Sequence, residues 1–186
     1  YLEVASGYDA TMTAEIRFIR ALHYYMLMDA YGNIPFATTL TQPERMTRAE
    51  AYAWLETELL DLETSLSDAK AKKSSDANYG RVDKAAAWML LSRLYLNAEV
   101  YTGTAQWQKA ADYAQKVMNS TYKLNTQSVN GWSAYQMLFM GDNGETNAAY
   151  EGVFPILQDG LKTTSWGTSL YLIASTYDAD MHSNPN

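Results

Sequence analysis

Between Ala14 and Phe36 the chain reads AEIRFIRALHYYMLMDAYGNIPF, a helix-forming run that stops at a Gly-Asn-Ile-Pro breaker. Ile16, Phe18, Ile19, Leu22, Tyr25, Met26 and Leu27 place apolar residues on nearly every face. A helix apolar all round has to pack on more than one side. The pattern predicts it from about Thr13 to Ala30, with Asp9 and Thr11 as candidate caps. Gly32 suits a left-handed C-cap, and Pro35 biases Ile34 toward extended backbone. His23 reads as a satisfied core histidine of this helix.

Further helices follow. Thr47 and Glu50 form a capping box after a Thr-rich loop. Tyr52, Leu55, Leu59, Leu62 and Leu66 then make one apolar stripe, opposite Glu56, Glu58 and Glu63. The polar segment from Ser67 to Gly80 reads as a loop, with Lys70 to Lys73 solvated. Asp83 caps a third predicted helix running to about Ala98, with Ala85, Ala86, Met89, Leu90 and Leu94 on its apolar side. Val100 to Thr104 reads as a turn with Gly103 as breaker and Thr104 as the next cap. The fourth helix carries Trp107, Ala110, Ala111, Ala114, Val117 and Met118, its small residues allowing a close neighbour. Beyond Ser120 the periodicity breaks, and loops on a helical scaffold are where binding usually sits.

The helix pairs echo each other. Trp88, Leu91, Ser92 and Tyr95 keep the W-x2-L-G-x2-Y spacing of a tetratricopeptide helix, with Ser in place of Gly. Ala21 and Tyr24 fit the small and aromatic positions more loosely in the first pair. The expected fold is all-α: tetratricopeptide-like antiparallel helix pairs over residues 1–124, followed by a loop-rich irregular region, 125–186, packed on them as part of the same domain. A plain helical bundle is the bland alternative. Arg20 and Arg93, inside apolar helices, need partners, for which Asp29, Glu15 and Glu99 are candidates.

Composition excludes several functions. A net charge of −7 argues against a nucleic-acid surface, which needs clustered Lys and Arg. The absence of cysteine excludes disulfides, thiolate zinc sites and cysteine nucleophiles. No apolar run reaches the roughly 20 residues that span a bilayer. No nucleophile elbow, P-loop or HExxH pattern occurs. Asp142, Glu145 and Glu151 are close enough in sequence to suggest a glycosidase pair, but acids beside Gly and Asn more often form turns. Asp142-Asn143-Gly144-Glu145 lacks the alternating ligand spacing of a calcium loop, so no metal or cofactor is expected.

Four segments in order resemble the SusD/RagB family of Bacteroidetes surface glycan-binding lipoproteins. In the first, Ala14, Glu15, Phe18, Arg20, Ala21, Tyr31, Gly32 and Pro35 match the family's Ala-Glu…Phe-x-Arg-Ala…Tyr-Gly-x-x-Pro pattern. Gly80, Arg81, Lys84, Ala86, Leu91, Arg93, Tyr95 and Leu96 form the second. Trp107, Ala110 and Tyr113 run on to Tyr122 and Leu124 in the third, and Asn147, Glu151, Val153, Phe154 and Ile156 make the fourth. The resemblance implies a non-catalytic protein on the outer face of the outer membrane, held by an N-terminal lipid anchor absent from this chain. It implies hand-over of an oligosaccharide, or another nutrient, to a SusC-like TonB-dependent transporter. Relative to the family the chain is expected to be a fragment.

Sugar binding requires aromatic faces for the apolar side of a pyranose and polar groups for its hydroxyls. Trp166, Tyr171, Tyr177 and Asp178 offer those types in irregular chain, in the region where the family's binding aromatics tend to lie. Trp166 ranks first and Tyr171 second, with Trp132 as a third aromatic. The alternative function is a tetratricopeptide-like docking module with a peptide or protein partner.

Overall fold

The structure is a computed structural model, and residues 7–157 are described. The contacts below lie within one compact unit that ends at Phe154. The first helix, α1, spans Ala10–Tyr31, and the Asp9 side chain caps it by accepting from Met12 N at 2.7 Å. Ala14, Phe18, Ala21, Tyr25 and Met28 are its buried face. The helix is less enclosed than its composition suggests, because Ile19, His23 and Met26 are exposed. His23 is therefore not a core histidine; its Nδ1 donates to Ile19 O one turn back. Gly32 ends the helix at φ 76° and ψ −89°, a positive-φ turn outside the left-handed helical region, with its N–H donated to Met28 O.

The Pro35 segment does more than terminate α1. Ile34–Phe36 is a strand, β1, paired antiparallel with β2, Glu44–Met46, so that Ile34 faces Met46 and Phe36 faces Glu44. This hairpin has no alternating pattern long enough to show in the sequence. It is held from outside: the Tyr24 hydroxyl donates to Ala37 O and accepts from Ala37 N, at 2.7 and 3.1 Å. The Phe36 ring packs between those of Tyr24 and Trp54, at 4.8 and 4.9 Å.

Helix α2, Arg48–Leu62, starts at the expected capping box: Glu50 N donates to Thr47 Oγ1 while Thr47 N donates to Glu50 Oε2. The stripe Tyr52, Leu55, Leu59, Leu62 and Leu66 is buried throughout. Each fully buried leucine contributes about 1.5–3 kcal/mol by leaving water. The three glutamates expected opposite this stripe are instead anchors. Glu58 receives Arg17 and Arg20 from α1, the latter from Nη2 at 2.8 Å. Arg20 is thus paired with Glu58 rather than with Asp29, Glu15 or Glu99. Glu15 pairs with Arg81, and Asp29 accepts the Tyr101 hydroxyl. Arg93 is exposed and stacks over the Tyr25 ring at 5.7 Å.

Helix α3, Lys84–Leu96, is capped by Asp83, and a five-residue helix, α4, Ala98–Thr102, stands where a bare turn was expected. Gly103 closes α4 at φ 80° and ψ 2°. The N-cap of α5, Trp107–Met118, is Gln106 rather than Thr104. Ala110 and Val117 face inward, whereas Trp107, Ala111, Met118 and, on α3, Met89 are exposed. The tetratricopeptide spacing has a visible cause. Leu91 and Tyr95 are buried, Ser92 Oγ donates to Ala110 O across the α3–α5 contact at 2.8 Å, Tyr95 reaches Glu56 of α2, and Trp88 reaches Glu63 at the C-cap of that helix. Helices α1 with α2 and α3 with α5 form the two pairs, and α2 joins them through α3. The fold is all-α and tetratricopeptide-like.

Candidate glycan-binding surface

The irregular chain after α5 is tied to the helices by one buried carboxylate. Asp83, fully enclosed, accepts from Ala85 N, from Lys70 N and from the Tyr122 hydroxyl, at 2.9, 3.0 and 2.8 Å. Lys72 adds an ion pair at 3.8 Å. Burial and the neighbouring Asp83 charge push the Tyr122 phenol well above its ordinary range, so it stays a neutral donor. The Lys70–Lys73 run is therefore only partly solvated, since Lys72 and Lys73 are half-buried. Ser74 N donates to Gly144 O, and Lys123 N donates to Tyr150 O. Those bonds bring residues 72–74, 121–127 and 144–151 together.

On this base stands a tight turn. Val129 and Trp132 exchange both backbone hydrogen bonds at 3.0 and 2.9 Å, with Asn130 and Gly131 at φ 51° and 84°. Positive φ at both central positions is what Asn-Gly provides in a primed hairpin turn. The turn leaves Trp132 half exposed. A 3₁₀ turn, Gln136–Phe139, follows, its start fixed by Ser133 and Gln136 capping each other reciprocally. Met137 points inward, while the rings of Tyr135 and Phe139 meet edge-on at 5.2 Å, with 71% and 72% of each residue exposed. Two such rings kept in water, on anchored backbone, form an unspent apolar surface.

Next to Val129 and Met137 lies a small polar recess, also lined by Lys73, Asn125, Gln127, Thr146 and Asn147. Asn125 is held by Glu151, whose Oε2 accepts from Asn125 N at 2.9 Å, and by its own donation to Ala134 O. Glu151 is thus a structural acceptor. Asp142 and Glu145 sit in a turn closed by Glu145 N donating to Asp142 O, the turn that the Gly-Asn context suggested. Among the described residues no cluster of three His, Cys, Asp or Glu side chains gathers to hold a metal.

Of the residues singled out in the sequence, Trp132 is on this surface, and Trp166, Tyr171, Tyr177 and Asp178 lie outside the described residues. Tyr135 and Phe139 were missed. Their only trace in the sequence is an aromatic pair four apart in an otherwise aperiodic stretch, and exposure, not spacing, marks them out.

Fold and surface together define a helical-repeat scaffold that presents aromatic and amide groups from irregular chain. Residues 3–96 match the SusD-like family described as "Starch-binding associating with outer membrane". The chain belongs to the SusD-like family. The starch-binding protein SusD of Bacteroides thetaiotaomicron is 43% identical over 171 residues, 90% of this chain, and the chain spans 29% of that relative. A SusD-like protein of Bacteroides fragilis superposes with a TM-score of 0.58 at 21% identity, over 74% of this chain and 26% of that one. Surface glycan-binding protein A of Bacteroides uniformis superposes at 0.53 with 26% identity, over 68% of this chain and 29% of the other.

Proposed function

We propose that this chain is part of a non-catalytic, saccharide-binding protein on the outer face of the outer membrane, which passes its ligand to a SusC-like TonB-dependent transporter. The observation that carries the reading is the exposed aromatic run Trp132, Tyr135 and Phe139, beside a recess lined by amides. Sugar rings need such flat apolar faces together with hydrogen-bonding groups at their edge. Relatives named for starch binding and surface glycan binding support the ligand class. Trp166, Tyr171, Tyr177 and Asp178 are proposed as further ligand-binding residues on residue type and family position.

Native electrophoresis of the full chain through gels containing starch or another polysaccharide tests this. Retarded migration is expected, and it should be lost in a Trp132→Ala, Tyr135→Ala double variant. Unretarded wild-type migration across a broad polysaccharide panel would overturn the reading.

One observation favours protein docking instead. Ile16, Ile19, Leu27, Pro35 and Pro43 line an apolar groove of about 470 Å³ between α1 and the hairpin. A docking module would retain a protein partner through this groove and lose it in Ile19→Asp, with no response to saccharide.

A further inference from the structure

We infer that the recess at Lys73 takes an anionic saccharide unit, a uronate, through its carboxylate; the inference rests on the saccharide-binding reading above. The recess measures about 170 Å³. Pockets that enclose a whole drug-sized ligand start near ~300 Å³, so this one suits a single ring or its acidic arm. Its lining carries one charged side chain, and that charge is positive.

Lys73 is unusual among the described lysines. Lys72, Lys84, Lys109 and Lys116 each pair with a carboxylate, and Lys70 and Lys123 are exposed to water. Lys73 is half-buried and has no carboxylate partner among the described residues. Its ammonium lies over the Tyr150 ring, 5.2 Å from the centroid, which orients the cation without neutralising it. Glu151, the acid that touches a recess-lining residue, is spent on Asn125 N.

The amides around it are half used. Asn147 Nδ2 donates to Gln127 Oε1, which leaves Gln127 Nε2 as a donor and Asn147 Oδ1 as an acceptor with no protein partner among the described residues. Asn125 is saturated on both sides by Ala134 O and Gln127 N, and so serves as a rigid wall. An ammonium and an amide N–H suit a carboxylate, because charge-assisted hydrogen bonds are the strong ones. The free amide oxygen suits a ring hydroxyl of the same sugar.

Isothermal titration of the full chain with a galacturonic acid trisaccharide and with maltotriose tests this. The acidic trisaccharide should bind at least ~10-fold tighter. Lys73→Met should remove that preference, while Lys73→Arg should keep it. Should Lys73→Met fail to fold, salt decides: raising NaCl from about 0.05 to about 0.5 M must weaken the acidic ligand and spare the neutral one. Equal affinities, or an acidic affinity unmoved by Lys73→Met or by salt, would overturn the inference alone. Failure of the wild type to bind either trisaccharide or any polysaccharide would overturn the saccharide-binding reading as well.

Discussion

Arg20 on α1 donates from Nη2 to Oε1 of Glu58 on α2 at 2.8 Å, with the guanidinium lying 5.6 Å from the Trp54 ring centroid. Arg17 completes the arrangement through a two-pronged contact from Nε and Nη2 to the same carboxylate. One buried acid thus binds two turns of the family's signature helix. Removing it is expected to be costly, because it strands the partly buried Arg20 and leaves Arg17 only its ion pair with Asp61 at 2.8 Å. Glu58→Ala should lower unfolding stability by about 3 kcal/mol. Arg20→Ala should cost less, since Arg17 still satisfies Glu58. Urea denaturation reads both, and an unchanged midpoint for Glu58→Ala would contradict the anchoring role.

Acid should destabilise the fold through Glu58 of α2 and Glu63 at its C-cap. Burial raises the carboxyls of Glu58 and Glu63, but hydrogen bonds and charges from Arg17 and Arg20, and from Trp88, Lys116 and Tyr113, outweigh it and leave both below the ordinary value. A depressed carboxyl stabilises above its unfolded pKa, near 4.5, and that contribution is lost as pH falls through the folded value. The melting temperature should hold from neutral pH to about 5 and drop below it. Glu63→Gln should start lower and show a shallower acid limb.

Asp83 links the α3 cap, the Lys70 backbone and Tyr122. Asp83→Ala is expected to cost about 3 kcal/mol or more, and Tyr122→Phe about 1 kcal/mol. Hydrogen exchange should show the loss first at Lys70 and Ala85, whose N–H groups lose their acceptor in the alanine variant. Uniform protection across the chain in that variant would show that Asp83 is not the tie between helices and irregular chain.

Tyr135 and Phe139 should behave in the opposite way. Both rings are largely in water, so Tyr135→Ala and Phe139→Ala should change stability by less than about 1 kcal/mol. Polysaccharide affinity should nonetheless fall by roughly 10-fold in the double variant, an effect of about 1.4 kcal/mol. A double variant that melts early but binds normally would make the pair a packing element.

The sequence by itself determined the helices and the family. The capping box at Thr47, the leucine stripe of α2 and the Asp83 cap act over three or four residues, where chain spacing dictates geometry. The ordered matches along α1 and α3 did the same for ancestry. Only the tertiary structure decided what the polar residues do. Glu58, Glu56 and Glu63 look like a solvated face because nothing local distinguishes a glutamate in water from one met by an arginine, a lysine or an aromatic donor of another helix. The β1–β2 hairpin escaped for a related reason, since three-residue strands carry no period and Tyr24 and Trp54 hold them from other elements. Trp132 could be named in advance as an aromatic in irregular chain. Tyr135, Phe139 and Lys73 could not, because exposure and the lack of a partner are properties of the folded surroundings.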